Sequence, residues 1–244
     1  MQIGHWQFSP GLIPGITTIL VLPLLVSLGL WQLDRAEQKR VLYQDFLARQ
    51  EEAPVRLDNQ KMLGTNNAEM IWRHVYLSGQ FMPGAKILLD NQIQDGKPGY
   101  LVFTPFRISG EDKLVLVNRG WIAGSSNRSE VPVINTPSHE VELRAVVTEA
   151  PATGIVLGES LVETVATGIY RVQRINFDEI RQLVNHDFLS YIVRLEPESD
   201  YGFLRQWQIP GSGEEKHLGY AFQWFALAIT LVIIFLAVNI KKVA

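Results

Sequence analysis

The sequence predicts a membrane α+β protein, in which two transmembrane helices flank one antiparallel, barrel-like β-rich domain with a few short helices. Two observations carry that reading. Residues 11–33 and 218–240 are apolar runs of 23 residues each without a charged side chain. The 184 residues between them have ordinary soluble composition and are cut by Gly, Pro, Asn and Asp into short β-type runs. The chain therefore divides into a tail (1–10), a first transmembrane helix (11–33), a central domain (34–217), a second transmembrane helix (218–240) and a closing tail (241–244).

Each apolar run makes a helix about 35 Å long at about 1.5 Å per residue, enough for a hydrocarbon core of about 30 Å. Pro14 and Pro23 fall inside the first run and are expected only to kink it, because membrane helices tolerate proline. The run is longer than a secretory signal core, has no Lys or Arg before it, and no small-x-small cleavage site follows it before Asp34, so it reads as a retained signal anchor. The Arg- and Ser-rich pattern of an organelle transit peptide is absent, which favours a bacterial chain. Basic residues do not orient the protein: Lys241 and Lys242 lie on the tail side, Arg35, Lys39, Arg40, Arg205 and Lys216 on the domain side. That count would keep the domain in the cytoplasm, but the positive-inside rule governs short loops and not a segment of this size.

The central segment is long enough for one sizeable core and short for two. Residues 34–50 are rich in helix formers, with Val41, Leu42, Phe46 and Leu47 at helical spacing, so the first helix continues or restarts until Pro54 ends it. Strands are expected at 71–81, 86–91, 100–108, 113–121, 140–148, 169–174 and 189–196. Asp95-Gly96 and Pro98-Gly99 mark a hairpin turn, and Gly79, Gly96 and Gly99 are expected to serve turns or bulges. Asn176 reads as a helix N-cap with Glu179 as its reciprocal partner, ahead of Ile180, Leu183 and Val184. Residues 211–216 read as a flexible or exposed lead into the second apolar run. In the strand at 113–121, alternation puts Arg119 on one face with Val115, Val117 and Trp121. A guanidinium there needs an ion pair, a stacking contact on Trp121, or a contact with substrate or partner.

Several chemistries are excluded. The net charge of −3 and pI near 6.0, with basic residues scattered, argue against nucleic acid. With no cysteine there is no disulfide, thiolate metal site or thiol redox chemistry, and four methionines offer no soft copper cluster. The histidines at 5, 74, 139, 186 and 217 lack metal-site spacing, and no dinucleotide, P-loop, metalloprotease or nucleophile-elbow motif occurs. Asn127-Arg-Ser129 matches a glycosylation acceptor and is read as chance in a bacterial chain.

Three blocks carry a resemblance to a known family. The first is Leu28-Gly-Leu-Trp-Gln-Leu-Asp-Arg-Ala-Glu-Gln-Lys39. The second comprises Val75–Phe81 with Gly79, Leu88-Leu-Asp-Asn91, Gly96-Lys-Pro-Gly-Tyr100, Thr104-Pro105 and Val115-Leu-Val-Asn-Arg-Gly-Trp-Ile122. The third is His217-Leu-Gly-Tyr-Ala-Phe-Gln-Trp-Phe-Ala226. In order and layout they resemble the surfeit-locus family of cytochrome c oxidase assembly proteins, one departure being Gln92 after Asn91 where that family more usually has Arg. The resemblance implies a bacterial inner-membrane protein with both termini cytoplasmic and a periplasmic central domain. It also implies a non-enzymatic role in building cytochrome c oxidase, in contact with membrane lipid, oxidase subunit I and other assembly factors. Its bacterial members are associated with haem a, so transient holding or delivery of haem a is the implied task.

Under that implication His217 is the candidate haem iron ligand, because it opens the second helix, where the helix dipole favours a neutral imidazole. Tyr220 and Trp224 share its helical stripe and offer a face for a flat macrocycle, or else serve as interfacial belt residues. On the first helix Trp31 and Arg35 form a matching stripe with Leu24 and Leu28. Arg35 and Lys39 are placed either to meet haem propionates or to snorkel to lipid phosphates. Gln32 is read as an interhelical hydrogen bonder or as a site residue. The alternative from another class is a membrane-tethered scaffold or sensor domain that binds protein partners without haem.

Overall fold

The computed structural model describes residues 2–3, 6–57, 67–125, 127–128, 130–151 and 162–242. His5 and Ser129 of the readings above lie outside these residues. The chain forms two compact units, Met1–Phe46 with Gln208–Ala244, and Leu47–Trp207.

The first unit is helical. Helix α1 (Leu12–Glu51) runs unbroken from the apolar segment through the amphipathic one, with Pro23 inside it. Helix α4 (Glu214–Asn239) is the second apolar helix. Both are long and apolar enough to cross a membrane, and only 6% and 11% of their most apolar windows are buried, unlike the core helix of a soluble protein. Where they meet, the small residues Gly29 and Ala36 of α1 and Ala221 and Ala228 of α4 are buried. Small side chains let helix backbones approach, the main device for packing helices in lipid. Gly29 is required here: a Cβ on it would lie 2.7 Å from the Phe225 ring. Beyond the helices, β1 (Gln2–Ile3), β2 (Trp6–Phe8) and β12 (Ile240–Lys242) make a small antiparallel sheet. The lead into α4 is exposed at Ser212, Glu215 and Lys216, as expected, but it is anchored at its start. Gly211 is buried at φ +74° against the α1 backbone at Lys39 and Tyr43, where any side chain would collide, and the helix has begun by Glu214.

The second unit is β-rich. Its strands are β3 (Val55–Arg56), β4 (His74–Phe81), β5 (Lys86–Gln94), β6 (Lys97–Ile108), β7 (Leu114–Ala123), β8 (Val141–Thr148), β9 (Glu163–Ala166), β10 (Ile169–Val172) and β11 (Phe188–Leu195). Short helices lie at α2 (Asn67–Met70) and α3 (Phe177–Val184). All seven expected strands form, because each joins β-branched or aromatic residues to flanks that carry Gly, Pro, Asn or Asp. Strands β4, β6, β7, β11 and β8 close a ring, since β4 pairs with both β8 and β6. β4, β6 and β7 are antiparallel neighbours and β8 returns beside β4, a Greek-key order. The expectation of an antiparallel domain needs one correction. Directions cannot alternate around a closed ring of five strands, so at least one pair must be parallel, and it is β7 with β11. Two pairs outside the ring are parallel as well, β3 with β4 and β10 with β5.

The barrel interior follows from alternation. Val75 and Leu77, Val115 and Val117, Leu143, Ala145 and Val147, and Tyr191, Val193 and Leu195 point inward and form one buried cluster with Phe81, Phe106 and Ile108. A second cluster joins Ile87, Leu89, Leu114, Leu116 and Ile192 to Ile180 of α3. Asn176 caps α3 as expected, its Oδ1 accepting from the backbone of Asp178 at 2.9 Å, while Glu179 Oε1 takes the Asn176 side-chain amide at 3.1 Å.

Arg119 is buried, 2% exposed, but it has no stacking contact on Trp121. Its guanidinium carbon lies 5.0 Å from the ring centres of both Phe81 and Phe203, and among the described residues no carboxylate pairs with it. Gly120, at φ +107°, turns the strand so that Phe203 and Leu204 can pair with residues 119 and 121.

Candidate functional site

The helical unit places one polar contact in an apolar setting. Gln32, buried on α1, faces His217 in the first turn of α4, with His217 Nδ1 and Gln32 Oε1 2.8 Å apart. The amide oxygen is an acceptor, so Nδ1 carries the ring hydrogen and Nε2 presents its lone pair. Among the described residues Nε2 has no hydrogen-bond partner. A histidine held through one nitrogen with the other open is the arrangement typical of a metal-ligating imidazole, whose ring is oriented by a neighbour. Such a nitrogen is able to ligate a metal ion, a haem iron included.

The α1 face that packs on α4 carries Gly29, Gln32 and Ala36, one or two turns apart. At about 100° per residue Trp31 points about 130° and Arg35 about 90° from the centre of that face, and both are exposed. They interact with each other: the Arg35 guanidinium lies 5.7 Å from the Trp31 ring centre and donates to Gln38 Oε1 at 2.9 Å. On α4, Trp224 is half-buried on the stripe of His217, Ala221 and Ala228, whereas Tyr220 at its flank is exposed. The structure thus brings together Gln32 and His217, sets Trp224 two turns along the same stripe, and leaves Trp31, Arg35 and Tyr220 facing outward. Further down the same helix pair, Ile13, Pro14, Thr17, Thr18, Leu231, Ile234, Phe235 and Val238 line an apolar cleft of about 220 Å³.

The β-rich unit holds two polar clusters that sequence reasoning missed. Both ring nitrogens of His74 face oxygens, Nδ1 the Glu196 carboxylate and Nε2 the Gln50 amide oxygen at 2.7 Å, while Gln50 Nε2 donates to Trp72 O at 2.8 Å. Arg194 lies between Trp72 and Trp207, 5.6 Å from each ring centre, with Nε buried and unbonded. Burial lowers its pKa to about 10. The partners are far apart in sequence, 122 residues in the case of His74 and Glu196, and no local pattern announces them. Among the described residues no group of three His, Asp or Glu side chains could hold a metal ion.

A family model described as the SURF1 family matches residues 19–229 of this chain, taking in the barrel and most of both apolar helices. The chain belongs to the SURF1 family. That family is known for cytochrome c oxidase assembly factors, which agrees with the resemblance read from the three sequence blocks. SURF1-like proteins of Rickettsia felis and Rickettsia bellii are 26% and 28% identical to it, over 90% of this chain and 94% and 88% of theirs. A SURF1-like protein of Drosophila melanogaster is 30% identical over 55% of this chain and 49% of its own length.

Proposed function

We propose that this SURF1-family chain is a two-pass protein of the bacterial inner membrane, with a periplasmic barrel, that holds or delivers haem a while oxidase subunit I matures. The Gln32–His217 hydrogen bond carries the reading, because it leaves a single imidazole nitrogen free at the mouth of the helix pair. Haem iron is the electrophile that such a nitrogen takes, and Trp224 on the same stripe supplies a flat apolar wall. Arg35 and Trp31 on the outer face of α1, with Tyr220 on α4, are placed to meet propionates or an oxidase helix. The chain makes and breaks no covalent bond in this role. Gln32 orients the ring through Nδ1, and His217 would hold the iron at Nε2.

The test is the absorption spectrum of the chain purified in detergent from cells that make haem a. Wild type carries haem, His217→Ala loses it, and Gln32→Leu retains less with a shifted Soret band. Equal spectra in wild type and His217→Ala remove His217 as ligand. A wild type free of haem leaves the scaffold reading, in which the outward Trp31, Arg35 and Tyr220 bind a protein partner. Protease added to intact spheroplasts cuts the barrel if it is periplasmic, and a protected barrel overturns that placement.

A further inference from the structure

The β-rich unit has an open cleft of about 530 Å³ whose wall includes Arg119, Asn135, Thr136, Tyr201, Gly202 and Phe203. We propose that this cleft is a binding site for a carboxylate group, carried by a small organic acid or by the C-terminus of a partner chain. The observation behind it is a buried cation with nothing negative to balance it. Arg119 Nε donates to Tyr201 O at 2.8 Å, Nη1 to Thr136 Oγ1 at 3.0 Å and Thr104 Oγ1 at 3.5 Å, and Nη2 to Asn135 O at 2.6 Å. Every one of these acceptors is neutral. A guanidinium has five N–H donors, so one on Nη2 is unspent. Taking a charge out of water is costly unless an opposite charge returns the loss, and burial draws the Arg119 pKa down to about 10 with no anion opposing the shift.

The surroundings complete an anion site. Thr136 accepts from Arg119, which leaves its hydroxyl hydrogen to donate, and the exposed Asn135 side chain has no partner among the described residues. Tyr201 is held at φ +66°, a strained conformation for a non-glycine residue of the kind that gathers at binding sites. Arg205 lies directly against Gly202 and donates to Glu196 O at 2.8 Å and to Ser199 O. Burial lowers the Arg205 pKa and the charges of Glu198 and Asp200 work against that shift, whereas neither carboxylate acts on Arg119, whose shift has burial as its one cause. One guanidinium with neutral hydroxyl and amide donors suits a monoanion, and the two nearby carboxylates repel a doubly charged phosphate. The proposal is independent of haem at His217, since it concerns other residues and another unit.

The test uses the full chain in detergent micelles and follows the arginine Nε–H resonances by NMR, with that of Arg119 identified by its loss in Arg119→Lys. Sodium acetate should move this resonance along a saturating curve, and inorganic phosphate at equal concentration should bind more weakly. Asn135→Asp, an exposed substitution that adds a charge at the rim, should weaken acetate binding at least tenfold, and Thr136→Val severalfold. A hexapeptide with a free C-terminus that binds tighter than acetate, while its amide does not bind, assigns the site to a partner's tail. A peptide no tighter than acetate assigns it to a small acid. The proposal is overturned by the absence of a saturating shift in wild type, by phosphate binding tighter than acetate, or by unchanged acetate binding in Asn135→Asp.

Discussion

Gly29→Ala tests whether the helix pair sets the histidine. The new Cβ would stand 2.7 Å from Cε1 and Cζ of Phe225 and 3.0 Å from Cε2, aimed at the ring where no atom can sit. Ordinary carbon contact begins near 3.7 Å, so α1 and α4 must part by about 1 Å or the ring must leave its place. Overpacking of this kind costs about 1–3 kcal/mol. Gln32 is less than one turn further along the same face, so a shift of that size carries its 2.8 Å bond to His217 past hydrogen-bond range. An interhelical hydrogen bond in lipid contributes about 0.6 kcal/mol, which makes the expected total about 2–3 kcal/mol. Thermal unfolding of the full chain in detergent, followed by near-ultraviolet circular dichroism, measures it. The companion is Phe225→Leu, which opens the space: Gly29→Ala/Phe225→Leu should regain more than about 1 kcal/mol over the sum of the single changes. If the double variant is additive within about 0.5 kcal/mol, or if Gly29→Ala is as stable as wild type, the close approach of the helices does not hold Gln32 to His217.

Two further outcomes follow from the barrel unit. Tyr191 is buried with its hydroxyl unbonded, and burial first, then Glu111, raises its pKa to about 12 from an ordinary 10.0. The folded state therefore keeps a proton that the unfolded chain releases, so stability falls as pH rises from about 10 to about 12, by up to about 3 kcal/mol. Tyr191→Phe should abolish that alkaline decline and leave neutral stability equal or higher, as read from unfolding at stepped pH. Asn176→Ala removes the cap of α3 and should cost about 1 kcal/mol, visible as a lower unfolding midpoint, whereas Asn176→Asp should restore most of it.

The individual elements can be read from the chain. Two uncharged runs of 23 residues can end only as helices that cover their own backbone polar groups, and alternation with Gly, Pro and Asn breaks marks seven strands whose inward residues are the observed core. The Asn176 cap and the Asp95-Gly96 turn were legible because their partners lie within a few residues. His217 could be singled out from its place at a helix start. Its partner follows from helix packing, because which face of α1 meets α4 depends on Gly29 admitting Phe225, and that puts Gln32 inward and turns Trp31 and Arg35 away. Barrel closure, the parallel pairing of β7 with β11, the Glu196 carboxylate on His74 and the solitary charge of Arg119 belong to the same class. Each is an agreement between residues tens to more than a hundred positions apart, and periodicity reports which way a side chain points without saying what waits there.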